Sequence, residues 1–332
     1  MPIKESDISI VIPTYKYRDK IGRAVRSALA SGAGEIIVVD DCGKDGTIEM
    51  LSEFSDSRLI VHENERNLGL WENHLNALGM ATKPWIKFIQ ADDYLLVDGL
   101  AAYAAAAETG VSVVWAVPTV IDDATGKKWF FHFLREPIRV CSRTMQDICL
   151  SSGWILGSPS HMMLRSDVIE RDSSAWRTGV SADVIVGSIA AARGDVVLLP
   201  AGPLAQGAHP LQDAKTQGAL LGLKRSVRTI AFLRNRDEEG LRRFANHWAI
   251  LNVSGMFRTT LRGLISRDVP TFELLYQFSR LITDFTITDW RSVVRDRVEI
   301  LEAMRCRRRS AMPIELDSVF QALACAKSEV TA

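Results

Sequence analysis

The chain has 332 residues, of which 47% are hydrophobic and 24% charged, and its 40 Lys and Arg balance 40 Asp and Glu. This is an ordinary globular composition, long enough for two domains, and the charge balance argues against nucleic acid as a partner. The cysteines, Cys42, Cys141, Cys149, Cys306 and Cys325, form no CxxC pair, which argues against a structural zinc site or a disulfide framework and fits a reducing compartment. The opening Met1-Pro2-Ile3-Lys4-Glu5-Ser6-Asp7 is too polar for a signal peptide, and no apolar run is long enough to span a membrane. A cytoplasmic protein is expected, with contact to the inner face of a membrane left open.

Ile8 to Ile12 is β-branched and apolar, a short strand that Pro13 is expected to end. Ile21, Val25, Ala28 and Leu29 give residues 18–31 a helical spacing. A second buried strand, Glu35 to Val39, runs into Asp40-Asp41. A helix over Thr47 to Phe54, a strand over Arg58 to His62, a helix over 70–81 and a strand over Trp85 to Ile89 follow. Alternation with short connections predicts an α/β fold whose mostly parallel sheet is flanked by helices, with ligands at the carboxyl ends of the strands. Beyond this come an Ala-rich helix over 97–107, and strands over Val111 to Ile121 and Lys128 to Phe133 around the hairpin turn Asp122 to Gly126. A Gly/Ser/Pro loop over Gly153 to Pro159 precedes a strand over His161 to Leu164. Asp183 opens a helix to Ala192, and Val196 to Leu199 is the last strand before a loop at 201–210. From about residue 219 the pattern is amphipathic helix: Leu241, Phe244, Trp248 and Leu251 make one stripe, with others at Leu274 to Ile282 and Val294 to Met304. The predicted division is 1–218 and a helical region 219–332.

The run Lys87-Phe88-Ile89-Gln90-Ala91-Asp92-Asp93 is the most telling segment. A buried strand that stops at two carboxylates needs something to pair with them. One reading is a divalent cation, and with it phosphate; the other is an exposed Asp pair capping the next helix. Taken alone, the residues leave the two level. The first strand leads to Pro13-Thr14-Tyr15-Lys16 rather than to a glycine-rich phosphate loop, so both the Rossmann fingerprint and a P-loop are excluded.

Four motifs in order, Val11-Ile12-Pro13-Thr14-Tyr15, Val38-Val39-Asp40-Asp41 with Asp45-Gly46-Thr47, Asn67-x-Gly69 with Asn73, and Ala91-Asp92-Asp93, resemble those of family 2 glycosyltransferases over roughly residues 8–210. The resemblance implies a GT-A fold and transfer of a sugar, with inversion, from a nucleotide-sugar donor, UDP-sugar being favoured. It implies a base and ribose pocket lined by Pro13, Thr14 and Tyr15, and a base contact from Asp41. It further implies nucleotide contacts from Asn67, Gly69 and Asn73, a ribose or sugar contact from Asp92, and a Mg²⁺ or Mn²⁺ ligand in Asp93. Asp183 matches the catalytic base, although the Glu that usually precedes it is Ala182. His209 matches a metal or phosphate contact, although Gly207 stands where relatives carry Arg. Gln90 replaces an acid found in many relatives. Trp154 matches a residue beside the donor sugar, with core packing its alternative.

The resemblance also implies a glycan or glycolipid acceptor, as in bacterial surface polysaccharide synthesis. A sugar-1-phosphate nucleotidyltransferase is the competing enzyme reading, and a non-catalytic nucleotide-sugar-binding or scaffold protein the competing class. The helical region is expected to form a homodimer or bind acceptor, with peripheral membrane contact through Arg305, Arg307, Arg308 and Arg309 ranked below both.

Overall fold

The structure, a computed structural model, describes residues 3–152, 156, 158–171, 173–177, 182–210, 219–238 and 240–249, with 276, 279, 314 and 315. Strand β1 (Ile8–Thr14) is buried along its length, sending Ile8, Ile10 and Ile12 into one apolar layer and Val11 into the other. That two-sided burial is what a strand at the centre of a helix-covered sheet requires. There follow α1 (Arg18–Leu29), β2 (Glu35–Asp40), α2 (Thr47–Leu51), β3 (Leu59–Glu63), α3 (Leu70–Met80), β4 (Trp85–Phe88), β5 (Tyr94–Leu95), α4 (Gly99–Ala106), β6 (Val111–Ala116), β7 (Thr119–Asp122) and β8 (Lys128–Trp129). The chain continues through β9 (His132–Phe133), β10 (Ile138–Val140), α5 (Ser142–Ser152), β11 (Met162–Arg165), α6 (Ser173–Arg177), α7 (Ala182–Ala192), β12 (Asp195–Leu199), β13 (Leu204–Ala208) and α8 (Ala219–Arg234).

Eight strands form the main sheet in the order β10-β12-β6-β11-β4-β1-β2-β3. The β4-β1-β2-β3 half is parallel, and β11 enters antiparallel between β4 and β6. A smaller sheet, β5-β13-β7-β8, lies beside it. Helices α1 and α4 supply Ile21, Val25, Leu100 and Tyr103 to one apolar layer. The other layer takes Ala77, Ile148, Ile185 and Ile230 from α3, α5, α7 and α8.

Several predicted boundaries shift. Pro13 does not end β1, which pairs on to Thr14 against β2. The β1–β4 pairing stops at Val11–Phe88, so the N–H that Pro13 lacks is not required by a neighbour on that side. The predicted strand 111–121 is two strands in different sheets, broken at Val117-Pro118, while its hairpin with Lys128–Trp129 is present. The predicted loop 201–210 contains β13, which pairs parallel with β7 from Ala205–Thr119 to Ala208–Asp122. Leu204-Ala205-Gln206-Gly207-Ala208 carries no β-branched or aromatic residue, which conceals a strand that ladder bonding defines. In the helical region, Val227, Ile230, Leu233, Leu241 and Phe244 join the same apolar layer as Val11 and Trp115. Leu251, the stripes at Leu274 to Ile282 and Val294 to Met304, and the Arg305–Arg309 cluster lie outside the described residues, Tyr276 and Ser279 excepted.

Candidate active site

The parallel half of the sheet ends its strands on one edge, so the loops after β1, β2, β3 and β4 meet there. They enclose a cavity of about 470 Å³, lined among others by Pro13, Thr14, Tyr15, Asp41, Asn67, Gly69, Asn73, Gln90, Asp92 and Asp93. Eight of the predicted donor-pocket residues and the predicted metal ligand Asp93 therefore share one wall system. Tyr15 presents its ring at 41% exposure with the Lys16 ammonium 5.1 Å from its centroid.

Asp41 is buried at the end of β2, and its carboxylate is already engaged. Oδ1 accepts from Asn64 Nδ2 at 2.8 Å and from the Leu68 N–H at 2.7 Å, and Oδ2 accepts from the Gly69 N–H at 2.8 Å. These bonds pin the 64–69 loop, and Gly69 takes φ +87 to lead into α3. Asn73 uses its amide to tie Thr14 O and Val39 O at 3.3 and 3.1 Å, and its Oδ1 accepts from Asn64. Asp41 and Asn73 thus line the cavity while also building its wall. Neighbouring Asp40 accepts the Gly43 N–H at 2.7 Å, the turn-capping role that its position allowed. Burial, reinforced by the charges of Asp45, Glu63 and Asp41, raises the Asp40 carboxyl above its ordinary range.

After β4, Asp92 Oδ2 meets His209 Nε2 at 3.0 Å, while the Asp92 carbonyl receives Arg23 Nη2 at 3.0 Å. His209 is buried and reaches the cavity through Asp92. Asp93 is 2% exposed; its Oδ1 accepts the Gly207 N–H at 3.0 Å and its carboxylate also bonds the Ser160 hydroxyl. Burial, then the adjacent Asp92 charge, pushes the Asp93 carboxyl well above the usual carboxylate range. Beneath it lies Lys87, fully buried, donating to Ser160 O, to Phe88 O at 3.3 Å and to Met162 O at 3.4 Å, with its ammonium 4.4 Å from the Tyr103 ring centroid. Burial draws the Lys87 ammonium down to about 7, against the attraction of Asp93.

The donor set suits a hard divalent cation. Among the described residues no three His, Cys, Asp or Glu side chains form a preformed cage. Mg²⁺-type ions are nevertheless held through one or two carboxylates plus substrate phosphates, and Asp93, raised by burial and by Asp92, is a carboxylate that a cation would relieve. Gly207, which stands where relatives carry Arg, has a structural reason: a Cβ there would lie 2.5 Å from the Asp92 backbone oxygen. No side chain fits.

Asp183 stands at the start of α7, where its Oδ2 accepts the Ser158 N–H at 2.9 Å. Ser158 lines the cavity, so Asp183 is one hydrogen bond back from its wall. Trp154 lies outside the described residues. Sequence reasoning missed Trp71, His74 and Gln206 as cavity residues. His74 follows Asn73 on the helix face that packs against the sheet, a placement that helical spacing to the buried Ala77 and Leu78 could have indicated. Gln206 lies on the strand concealed in the predicted loop. A larger hollow, about 680 Å³, opens elsewhere between α4 and the β12–β13 connection. Ala, Gly and Pro dominate its lining, and its one arginine, Arg139, is paired to Glu108 and Asp195.

The sequence model described as "Glycosyl transferase family 2" matches residues 9–172. The succinoglycan biosynthesis protein ExoO of Rhizobium meliloti (strain 1021) is 33% identical over 99 residues, 29% of this chain and 28% of its own length. An Escherichia coli UDP-Glc:alpha-D-GlcNAc-diphosphoundecaprenol beta-1,3-glucosyltransferase, WfaP, is 35% identical over 89 residues, 26% of this chain and 36% of its own. The chain thus aligns with about a third of the length of these curated relatives. Among solved structures, S. aureus TarS 1-349 in complex with UDP-GlcNAc superposes with a TM-score of 0.64 at 17% identity, over 97% of this chain and 92% of its own. The mannosyltransferase PcManGT from Pyrobaculum calidifontis, in complex with GDP-Man and Mn2+, gives 0.53 at 13% identity, over 100% of this chain and 90% of its own. The fold is therefore that of GT-A transferases, and residues 9–172 are a glycosyl transferase family 2 segment.

Proposed function

We propose that this protein is an inverting glycosyltransferase that moves a sugar from a nucleoside-diphosphate sugar, UDP-sugar first, to a hydroxyl of a glycan or lipid-linked glycan acceptor in surface polysaccharide synthesis. The observation that carries the reading is that Tyr15, Asp41, Asp92 and Asp93 line one cavity. An aromatic face and a row of carboxylates in one cavity suit a base with its ribose and a metal-bound diphosphate. The relatives' names, a succinoglycan biosynthesis protein and a UDP-Glc-dependent glucosyltransferase, support the donor and acceptor classes.

In this reading Tyr15 offers a face to the base and Asp41 its remaining lone pairs, while Asp92 accepts from a ribose or sugar hydroxyl. Asp93, with His209 behind Asp92, would hold Mg²⁺ or Mn²⁺, which when bound neutralises the charge of the departing diphosphate. Asp183 takes the acceptor hydroxyl's proton as that oxygen attacks the anomeric carbon. The Ser158 N–H fixes the orientation of the Asp183 carboxylate. We further propose residues 1–218 as the donor-binding catalytic unit and 219–332 as the acceptor-binding or dimerising part, working at the cytoplasmic face of a membrane. Screening UDP-glucose, UDP-GlcNAc and GDP-mannose for metal-dependent release of the nucleoside diphosphate tests the function. Release that Asp93→Ala abolishes is expected; wild-type protein that binds UDP yet never turns over a donor, with any acceptor glycolipid offered, would leave only a nucleotide-binding role.

A further inference from the structure

Gln90 lines the cavity, and its orientation follows from a chain of hydrogen bonds that admits one solution. His74 Nδ1 lies 2.6 Å from the Leu70 carbonyl oxygen, one turn earlier on α3. A carbonyl oxygen only accepts, so Nδ1 carries the proton. The ring is buried among Trp71, Phe88 and Trp176, with centroids 5.1, 5.8 and 6.5 Å away, and burial lowers its pKa to about 4. The imidazole is therefore neutral at pH 7 and its Nε2 is a bare acceptor. Gln90 Nε2 stands 2.7 Å from it, and only the amide NH₂ can donate across that gap.

We propose that His74 locks the Gln90 amide so that its carbonyl oxygen, Oε1, is a fixed, uncharged acceptor reserved for a hydroxyl of the bound nucleotide sugar. This rests on the donor-pocket reading above and assigns the pocket a specificity-determining residue, Gln90, with His74 as its positioning residue. The backbone of Gln90 is also held, by its N–H to Ser160 Oγ at 2.8 Å. Gln90 lines the cavity, and its Oε1 accepts no hydrogen bond among the described residues. It shares the cavity with Asp92, Asp93 and Trp71, where the ribose or the transferred sugar lies in the proposed reading.

The pairing also explains why an amide stands here rather than an acid. A carboxylate at 90 would face the bare Nε2 lone pair, and could be accommodated only if His74 gained a proton or lost its bond to Leu70. It would also put a third negative charge beside Asp92 and Asp93. His74 and Gln90 are therefore a matched pair, and an acid at 90 requires a change at 74.

The test uses the full-length protein with Mg²⁺ present and isothermal titration with UDP, UDP-glucose and GDP-mannose, comparing wild type, Gln90→Met and His74→Phe. Gln90→Met keeps the length and removes the acceptor; its affinity for the preferred donor is expected to fall about tenfold, one hydrogen bond's worth. An equal loss for free UDP assigns the hydroxyl to the ribose, and a loss confined to the sugar nucleotide assigns it to the sugar. His74→Phe, which frees the amide to rotate, should lose part of the same increment, and ¹⁵N-histidine spectra of the wild type should show His74 neutral with its proton on Nδ1. The inference is overturned if wild type binds a donor and Gln90→Met binds it within twofold, or if His74 carries its proton on Nε2. Wild-type protein that binds none of the nucleotides overturns the proposed function as well, so the two failures are distinct.

Discussion

Asp41 gives the sharpest test of how this site is built, because it has two duties that separate under mutation. Its carboxylate accepts three hydrogen bonds inside the wall, from Asn64 Nδ2, Leu68 N and Gly69 N, and it is 2% exposed. Asp41→Ala strands all three donors. A buried, unsatisfied donor costs about 1–3 kcal/mol. Asn64 is fully enclosed and retains a bond to Asn73, while the Leu68 and Gly69 amides are partly reachable by water. Taking about 2 kcal/mol for the first and about 1 kcal/mol for each of the others gives a loss of about 4 kcal/mol. For a protein of this size that is a fall in melting temperature of roughly 10 °C. Asp41→Asn keeps one acceptor oxygen but turns an NH₂ toward the Gly69 N–H, so about half that loss is expected. Urea denaturation of the three proteins measures the energies, and titration with UDP reads the second duty. If Asp41→Ala costs under about 1 kcal/mol, the carboxylate does not hold the 64–69 loop and other contacts build that wall.

Three further outcomes are expected. Gly207→Ala should cost about 1–3 kcal/mol and weaken the Asp93 anchor, since the new Cβ meets the Asp92 carbonyl oxygen at 2.5 Å with no flexible atom to yield; a melting curve matching the wild type would contradict the close approach. His74 and His161 have folded-state pKa values lowered to about 4 and about 3. As pH falls below 6.5, the unfolded chain therefore takes up protons that the folded chain refuses. Stability should drop by about 3–4 kcal/mol between pH 7 and pH 5, and by about half as much in His74→Phe; chemical denaturation at the two pH values checks both. Asp183→Asn should lower kcat by about 10²–10⁴ while leaving UDP affinity within twofold, and a variant with near-normal kcat would remove Asp183 from the base role.

How far the site could be read from the chain depended on which physical signal each residue carried. The carboxyl ends of β1, β2 and β4 were legible to within a residue or two, because the apolar runs give way near there to polar residues, and in a parallel sheet those ends share one edge. Strand order and polarity alone therefore bring Asp41, Asp92 and Asp93 near one another. Gln206 was not legible, because Leu204-Ala205-Gln206-Gly207-Ala208 has neither the bulk nor the branching that marks strands; backbone pairing with β7 makes it one. Break points inside apolar runs were also hidden: Val117-Pro118 lets the chain leave one sheet for another with no change in hydrophobicity. Gln90 was visible, but His74 and its partnership with Gln90 were not, because sixteen residues of helix and strand separate them in sequence.

The least expected residue of the Lys87–Asp93 segment is the lysine at its head. Lys87 occupies the middle of β4, opposite Met163 of β11, fully buried in a stretch otherwise apolar. Burial alone disfavours its ammonium, and burial alone disfavours the Asp93 carboxylate. Each makes the other tolerable, and three backbone carbonyls with the Tyr103 ring provide the remaining solvation for the cation. Ser160 links the two, its carbonyl accepting a hydrogen bond from the Lys87 ammonium while its hydroxyl bonds Asp93. An apolar residue at 87 would pack well enough, yet Asp93 would then face the Asp92 charge with no positive charge beneath it. The lysine thus does more than fill the core: its charge offsets that of the buried Asp93.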